Sequence, residues 1–396
     1  MGEVNYRRTS REVAEGKGSQ PRLASLDALR GFNLFFLVAL GPVLLAFCNG
    51  VPNGCFDWLF NPLSHLLTHE EWIGLTPWDL IMPLFMFMSA ASIPFSMSRY
   101  KREQRYGEFA KRLIRRVVLL WLLGMAIQGN LRALDPKHIY IFTNTLQSIA
   151  VGYAIASLLF MFTGWRTQLF CCMGLLLAYW GAMEFVSVDG FGGGLYGKTD
   201  NLAEFIDRVV LGRYRDAANV IGDGTVVFAP GYTNTWILSS LTFGATSVFG
   251  LLCGTICKSP SDTCRKLILL WGAGVALTIV GWVWHLEMPV IKRIWTGSMA
   301  VVSAGYSFLL MGAFFWFYDY RRYTFGFDFL RVYGLNSLAA YTMEEMINFK
   351  SIPHSLFYGL QQYIGDFYPC VLALGQAVVI YLILVAMKRL NILIKV

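Results

Sequence analysis

Apolar residues in this chain fall in blocks of about 20, the length that crosses the ~30 Å hydrocarbon core of a bilayer as a helix. Ten such blocks occur, at 29–48, 79–98, 113–128, 144–163, 168–188, 235–257, 267–286, 296–318, 330–349 and 369–387. Backbone polar groups inside lipid must pair within their own segment, so each block is expected to be a helix. Of 396 residues, 56% are hydrophobic and 15% charged, against about 25% charged in ordinary soluble domains. A soluble enzyme is excluded. The chain reads as an all-α polytopic membrane protein: one transmembrane domain over 22–396 behind a polar, basic, disordered tail over 1–21. The third block is short and the ninth carries Glu344 and Glu345, so these two depart most from a plain span.

Lysine and arginine gather on the cytoplasmic side of membrane proteins. With the N-terminus inside, 24 of the 33 basic residues fall on inner segments, which predicts that both termini are cytoplasmic. The net charge of +8 then marks the inner leaflet and calls for no nucleic acid. The first apolar run begins late and has full spanning length, unlike a cleaved signal peptide. Cys253 and Cys257 share a helix face without a second ligand pair, so no metal is expected. Cys48 and Cys55 are placed at the outer surface, where they can pair in an oxidising compartment. Gly192-Gly193-Gly194 reads as a turn, and no phosphate-cradling loop is present. The outer segment over 189–234 mixes acidic, basic and aromatic residues, and is read as a lid or sugar-binding element or else a helix on the membrane surface.

In this topology His65, His69, His138, His285 and His354 all lie at outer ends of spans. His69 opens the run His69-Glu70-Glu71-Trp72-Ile73-Gly74-Leu75-Thr76-Pro77-Trp78-Asp79 just before the second span. Thr76 or Asp79 can cap that helix. Asp79 is then either a cap alone or the carboxylate that orients a neighbouring imidazole for general-base work. At the inner face, Asp27 and Arg30 are spaced to pair on one helix face. Arg112, Arg115 and Arg116 enter the third span; they anchor it to the inner leaflet or, with Arg30, form a mouth for a phosphate-bearing cytosolic ligand. Polar residues at membrane depth, among them Asn336, Tyr341, Glu344 and Glu345, either bond helix to helix or line an aqueous interior.

The run Arg22-Leu23-Ala24-Ser25-Leu26-Asp27-Ala28-Leu29-Arg30-Gly31, followed by His69…Trp72-Ile73-Gly74-Leu75-Thr76…Asp79-Leu80…Pro83, resembles the heparan-α-glucosaminide N-acetyltransferase family and its bacterial relatives. Further matches are Leu146-Gln147-Ser148-Ile149-Ala150, Pro289-Val290-Ile291-Lys292-Arg293-Ile294-Trp295-Thr296, and Gly334-Leu335-Asn336-Ser337…Tyr341. The resemblance covers most of the chain. It implies a transmembrane acyltransferase that moves acetyl from cytosolic acetyl-CoA to the amine of a terminal glucosamine across the membrane, with His69 as the catalytic histidine. It also implies a bacterial inner-membrane form. Two positions depart from the family: Gly41 stands where the lysosomal enzyme has asparagine, and Ser148 where arginine is usual.

Under that reading His69 is general base or acetyl carrier, tuned by Asp79 or Glu70. Arg30, Arg112, Arg115, Arg116 and Gln147 are expected to hold acetyl-CoA. Lys292, Trp295, Asn336 and Tyr341 are expected to hydrogen-bond the thioester oxygen, and Glu70, Trp72 and Glu344 to meet the acceptor. Two other readings compete: a transporter of a small sugar or related solute, against which the lack of an internal repeat counts, and transfer to a sugar hydroxyl by the same mechanism. A homodimer is the commonest assembly for any such chain.

Overall fold

The computed structural model describes residues 23–392 except 53, 55, 223, 229–233 and 324–325. The expected tail and Cys55 lie outside the described residues. Among the described residues, eight helices, against the ten spans expected from sequence, are long and apolar enough to cross a membrane. They are α1 (Ala24–Gly50), α3 (Trp78–Arg102), α5 (Thr145–Phe162), α6 (Trp165–Phe185), α8 (Ser240–Lys258), α9 (Thr263–Trp284), α10 (Gly297–Tyr320) and the stretch Ser351–Arg389, whose long helix is α13 (Tyr368–Arg389). A short helix α2 (Asp57–Leu66) lies between α1 and α3. The chain is an all-α integral membrane protein.

The two departures expected from the sequence have physical causes. The third block is helix α4 (Tyr106–Ile127), whose first half carries Lys111, Arg112, Arg115 and Arg116. The ninth block breaks into α11 (Phe327–Leu335) and α12 (Ser337–Met346) at Asn336. There the backbone leaves helical geometry with φ −123° and ψ 39°.

Helix α3 fixes the polarity of the bundle. Asp79 stands at its start and Arg99, Lys101 and Arg102 at its finish; 25 residues at 1.5 Å each separate these ends by roughly 37 Å. The two are called the histidine end and the arginine end. Both ends of the described chain meet at the arginine end: Gly334 packs on the Asp27 carbonyl, and Asn336 Nδ2 donates to Ile392 O at 3.0 Å.

Helices α8 and α3 form the centre, with 72% and 67% of their apolar windows buried, whereas α9 is peripheral at 22%. Small residues allow that centre to close. Gly250 and Gly254, one turn apart on α8, press onto the carbonyls of Phe87 and Ala91 on α3, and a Cβ at either would overlap them. Close backbone approach at small residues is the usual way helices associate in lipid, where no hydrophobic drive remains between them. Helix α5 begins in a reciprocal cap: Asn144 Oδ1 accepts from Leu146 N, and Gln147 Oε1 accepts from Asn144 N at 3.0 Å.

The outer segment folds into a cap of its own. Two antiparallel hairpins, β1–β2 (Ser187–Val188, Phe191–Gly192) and β3–β4 (Ala218–Val220, Val226–Phe228), flank helix α7 (Leu202–Leu211). Cys48, expected at the surface, is buried.

Gly250→Leu is expected to lower stability by about 1–3 kcal/mol, since overpacking forces α8 away from α3. Thermal unfolding of detergent-solubilised protein, read against Gly272→Leu at an open position, checks this.

Candidate functional site

The turn before α3 is built to bury a carboxylate. Asp79 N donates to Thr76 Oγ1 at 3.3 Å, while Asp79 Oδ2 lies 3.1 Å from that hydroxyl and accepts from Thr76 N at 3.3 Å. Of the two capping readings, the structure carries the Thr76 one: its hydroxyl accepts from Asp79 N, and Asp79 reaches back to Thr76 N. Oδ2 also accepts from Glu70 N at 3.1 Å, which wraps the motif loop around the carboxylate. Asp79 is 1% exposed. Burying a charge is costly unless it is paired and hydrogen-bonded, and its other oxygen supplies the pairing. Oδ1 lies 2.7 Å from His69 Nδ1 and 3.1 Å from Lys292 Nζ, and Lys292 Nζ is 3.1 Å from His69 Nδ1.

With Nδ1–H donated to Asp79, the lone pair of His69 sits on Nε2. About half of the His69 side chain remains exposed, at 52%. Burial holds the Lys292 ammonium below the ordinary lysine range, although Asp79 works against this.

These groups stand on a cavity of about 300 Å3. Its lining includes His69, Glu70, Trp72, Asp79, Lys292, Trp295 and Tyr341. Trp295 adopts φ +48°, a region bulky residues rarely enter. Its N–H closes a turn onto Lys292 O at 3.0 Å and its indole donates to Thr246 Oγ1 at 3.1 Å, so this turn aims Lys292 at Asp79. Tyr179 and Ser239 hydroxyls, at 2.6 and 2.9 Å from Ile294 O, tie the same turn to α6 and to the start of α8. Trp72 reaches the cap, donating to Tyr196 O at 2.9 Å. Gly41 matters to the cavity because the Trp78 ring, a lining group, occupies the space a Cβ would need.

Other residues expected at the site lie elsewhere. Gln147 is corrected most sharply: it is fully buried at the histidine end of α5, and its amide is spent on Thr143 N, Asn144 N and Ile141 O. It is a helix cap with no group left for a ligand. Asn336 marks the α11–α12 break and bonds Ile392 O near the arginine end, away from the cavity. Glu344 does not line the cavity; Glu345, one residue on, does.

Arg30 pairs with Asp27 at 3.7 Å, and the Arg112 guanidinium lies 5.9 Å from the Tyr100 ring centre. Arg115 is exposed. Arg116 lies 3.9 Å from the Tyr153 ring centre and donates to Ser89 Oγ at 3.0 Å. None of these arginines lines the cavity.

The remaining histidines have local partners: His65 with Glu70 at 3.4 Å, His138 with Asp135 at 2.7 Å, His285 accepting from Val290 N at 2.9 Å, and the His354 ring 6.1 Å from that of Tyr368. Groups of the cavity wall missed by sequence reasoning include Thr143, Trp236 and Gln128. Thr143 directly precedes the Asn144 cap, and that was its only local signal.

Residues 22–167 match a family model described as Domain of unknown function (DUF5009). The matched stretch contains His69, Asp79 and Thr143, whereas Lys292, Trp295 and Trp236 lie beyond it. No curated protein matches the chain.

Asp79→Ala strands the Lys292 ammonium in a buried site and is expected to cost about 3–5 kcal/mol, as breaking a buried pair does. Asp79→Ala with Lys292→Met is expected to regain most of that loss. Thermal unfolding of the single and double variants checks both.

Proposed function

We propose that the protein is a transmembrane acyltransferase that takes acetyl from acetyl-CoA on the cytoplasmic side and transfers it to the amine of a terminal glucosamine presented at the histidine end. The observation that carries the reading is the His69–Asp79–Lys292 cluster, standing on a cavity at the end of the bundle remote from the arginines. A carboxylate-oriented imidazole with its other nitrogen free is the arrangement of a general base.

In the reaction, the acceptor nitrogen attacks the acetyl carbon, the C–N bond forms and the C–S bond breaks. CoA leaves as thiolate, and the proton shed by nitrogen passes to His69 Nε2. Asp79 holds the imidazole in the required tautomer and balances the imidazolium that forms. Lys292 and the Tyr341 hydroxyl are the donors on this cavity that suit the carbonyl oxygen, where charge develops. Acetyl-CoA is large and multiply anionic, so the arginine end, cytoplasmic by its charge bias, suits its phosphates. The bacterial inner membrane fits the same orientation. The acetyl group passes either directly to the amine or by way of His69.

Labelled acetyl transfer from acetyl-CoA to a panel of amino sugars by purified protein tests the reading. Transfer is expected with the wild type, and His69→Ala is expected to abolish it while the protein still folds, Lys292 continuing to pair Asp79. Asp79→Asn is expected to lower kcat by about 10²–10⁴-fold, the usual worth of positioned proton transfer. Absence of transfer, together with solute uptake by proteoliposomes lacking acetyl-CoA, overturns the enzyme in favour of a transporter. CoA release without acceptor separates the acetyl-histidine route from direct transfer.

A further inference from the structure

The cap contains a buried ionic cluster that the proposed chemistry does not use. Glu204 on α7 is bonded to Arg208 at 2.9 Å and to the fully buried Arg215. Beside them lie two more buried carboxylates, Asp207 at 0% exposure and Asp216 at 3%. Both converge on one residue of the cavity wall. Asp207 Oδ2 accepts from Trp236 N at 2.7 Å and its Oδ1 from Ile237 N at 2.9 Å. Asp216 accepts from the Trp236 indole at 3.2 Å and from Thr143 Oγ1 at 3.0 Å. Trp236 and Thr143 both line the His69 cavity. The indole also stacks near Phe142, whose ring centre is 5.2 Å away.

We infer that Asp207 and Asp216 are positioning residues: together they clamp Trp236 and Thr143 as the cap-side wall of the His69 cavity, and acceptor capture depends on that clamp staying ionised. This rests on the acyltransferase reading for its kinetic consequence and on geometry alone for its structural one.

The cap stands beside the His69 cavity, joined to the motif loop where Trp72 donates to Tyr196 O. With its proton given to Asp216, the Thr143 hydroxyl offers lone pairs to the cavity, suited to a ligand N–H or O–H. The clamp is sensitive to protonation for a geometric reason. Each oxygen of Asp207 accepts a backbone N–H, so a proton on either oxygen turns an acceptor into a donor facing a donor, and one of the two bonds is lost.

Asp207 faces Arg215 and Asp216 from the turn after α7 and the Tyr179 hydroxyl from α6, with Glu204 and Arg208 on its own helix. The segment leading into α8 presents the Trp236 and Ile237 N–H groups to it. Burial outweighs these N–H bonds and Arg215 and pushes the Asp207 carboxyl up to about 7. The clamp is therefore closed above neutrality and opens as pH falls through it.

The test titrates tryptophan fluorescence and near-ultraviolet circular dichroism of the full-length protein in detergent across neutral pH, without substrate. Wild type is expected to show a transition near pH 7 that is absent from both Asp207→Asn and Trp236→Phe. A transition that persists in Asp207→Asn, or no transition in wild type, overturns the clamp.

With substrates, Asp207→Asn and Asp216→Asn are expected to raise acceptor KM on the order of tenfold, as loss of a hydrogen bond to a charged group does. Acetyl-CoA KM is expected to stay within about twofold of wild type, and the pH dependence of acceptor KM to vanish in Asp207→Asn. Equal rises in both KM values overturn acceptor-side positioning. The spectral titration needs no turnover, so a protein that shows the transition but transfers no acetyl group sustains the clamp while the acyltransferase reading fails.

Discussion

The buried carboxylate of Asp79 is the constraint on which the histidine end depends. A charge with 1% exposure at the start of a membrane-crossing helix must be met by donors from several directions, and here those donors come from two parts of the chain. The motif loop gives His69 Nδ1, Glu70 N and Thr76, and a turn 213 residues away gives the Lys292 ammonium. Satisfying Asp79 therefore draws the loop before α3 and the loop between α9 and α10 together. Gly74 N donating to Val290 O at 2.8 Å fastens the same two loops through their backbones. Trp72 then carries the arrangement outward to the cap through Tyr196.

The rest of the molecule holds those loops at fixed spacing. Gly250 and Gly254 let α8 lie against α3, so Trp236, just before α8, and Asp79, at the start of α3, end up on a single cavity. The cap secures the first of these with paired carboxylates and the motif loop secures the second with a reciprocal threonine–aspartate turn. Both devices use an acidic side chain to accept backbone N–H groups from the segment that leads into a helix, where no ladder partner is at hand.

Much of the architecture was legible because the lipid core imposes a length rule and a hydrogen-bond rule that few sequences meet by chance. The short, basic third block and the polar ninth stood out in advance as α4 and the broken α11–α12 pair. His69 and Asp79 were legible as neighbours because only ten residues separate them, and because a threonine three positions before an aspartate is a helix-start pattern in its own right. Gln147 misled for an instructive reason: a glutamine three residues after an asparagine fits a helix cap as well as it fits a ligand contact, and the cap consumed its amide. Asn336 misled likewise, because its buried amide joins the α11–α12 break to the far end of the chain at Ile392 O. Trp236 gave no signal and Thr143 only its place before the Asn144 cap, since the carboxylates that hold them lie on α7 and the turn after it.

What the sequence by itself determined is the apolar, helical character of the segments, their basic bias toward one end, and the nearness of His69 to Asp79; it counted ten spans where eight helices among the described residues have the length and apolarity of one. These follow from local periodicity, charge and spacing, which need no knowledge of neighbouring helices. Only the tertiary structure decided that Lys292 completes the Asp79 site, that Gln147 is a cap, that Glu345 rather than Glu344 meets the cavity, and that the cap grips Trp236. Each of these turns on which groups from distant parts of the chain satisfy a buried charge or a backbone N–H, and such choices are made by the packing of the whole bundle.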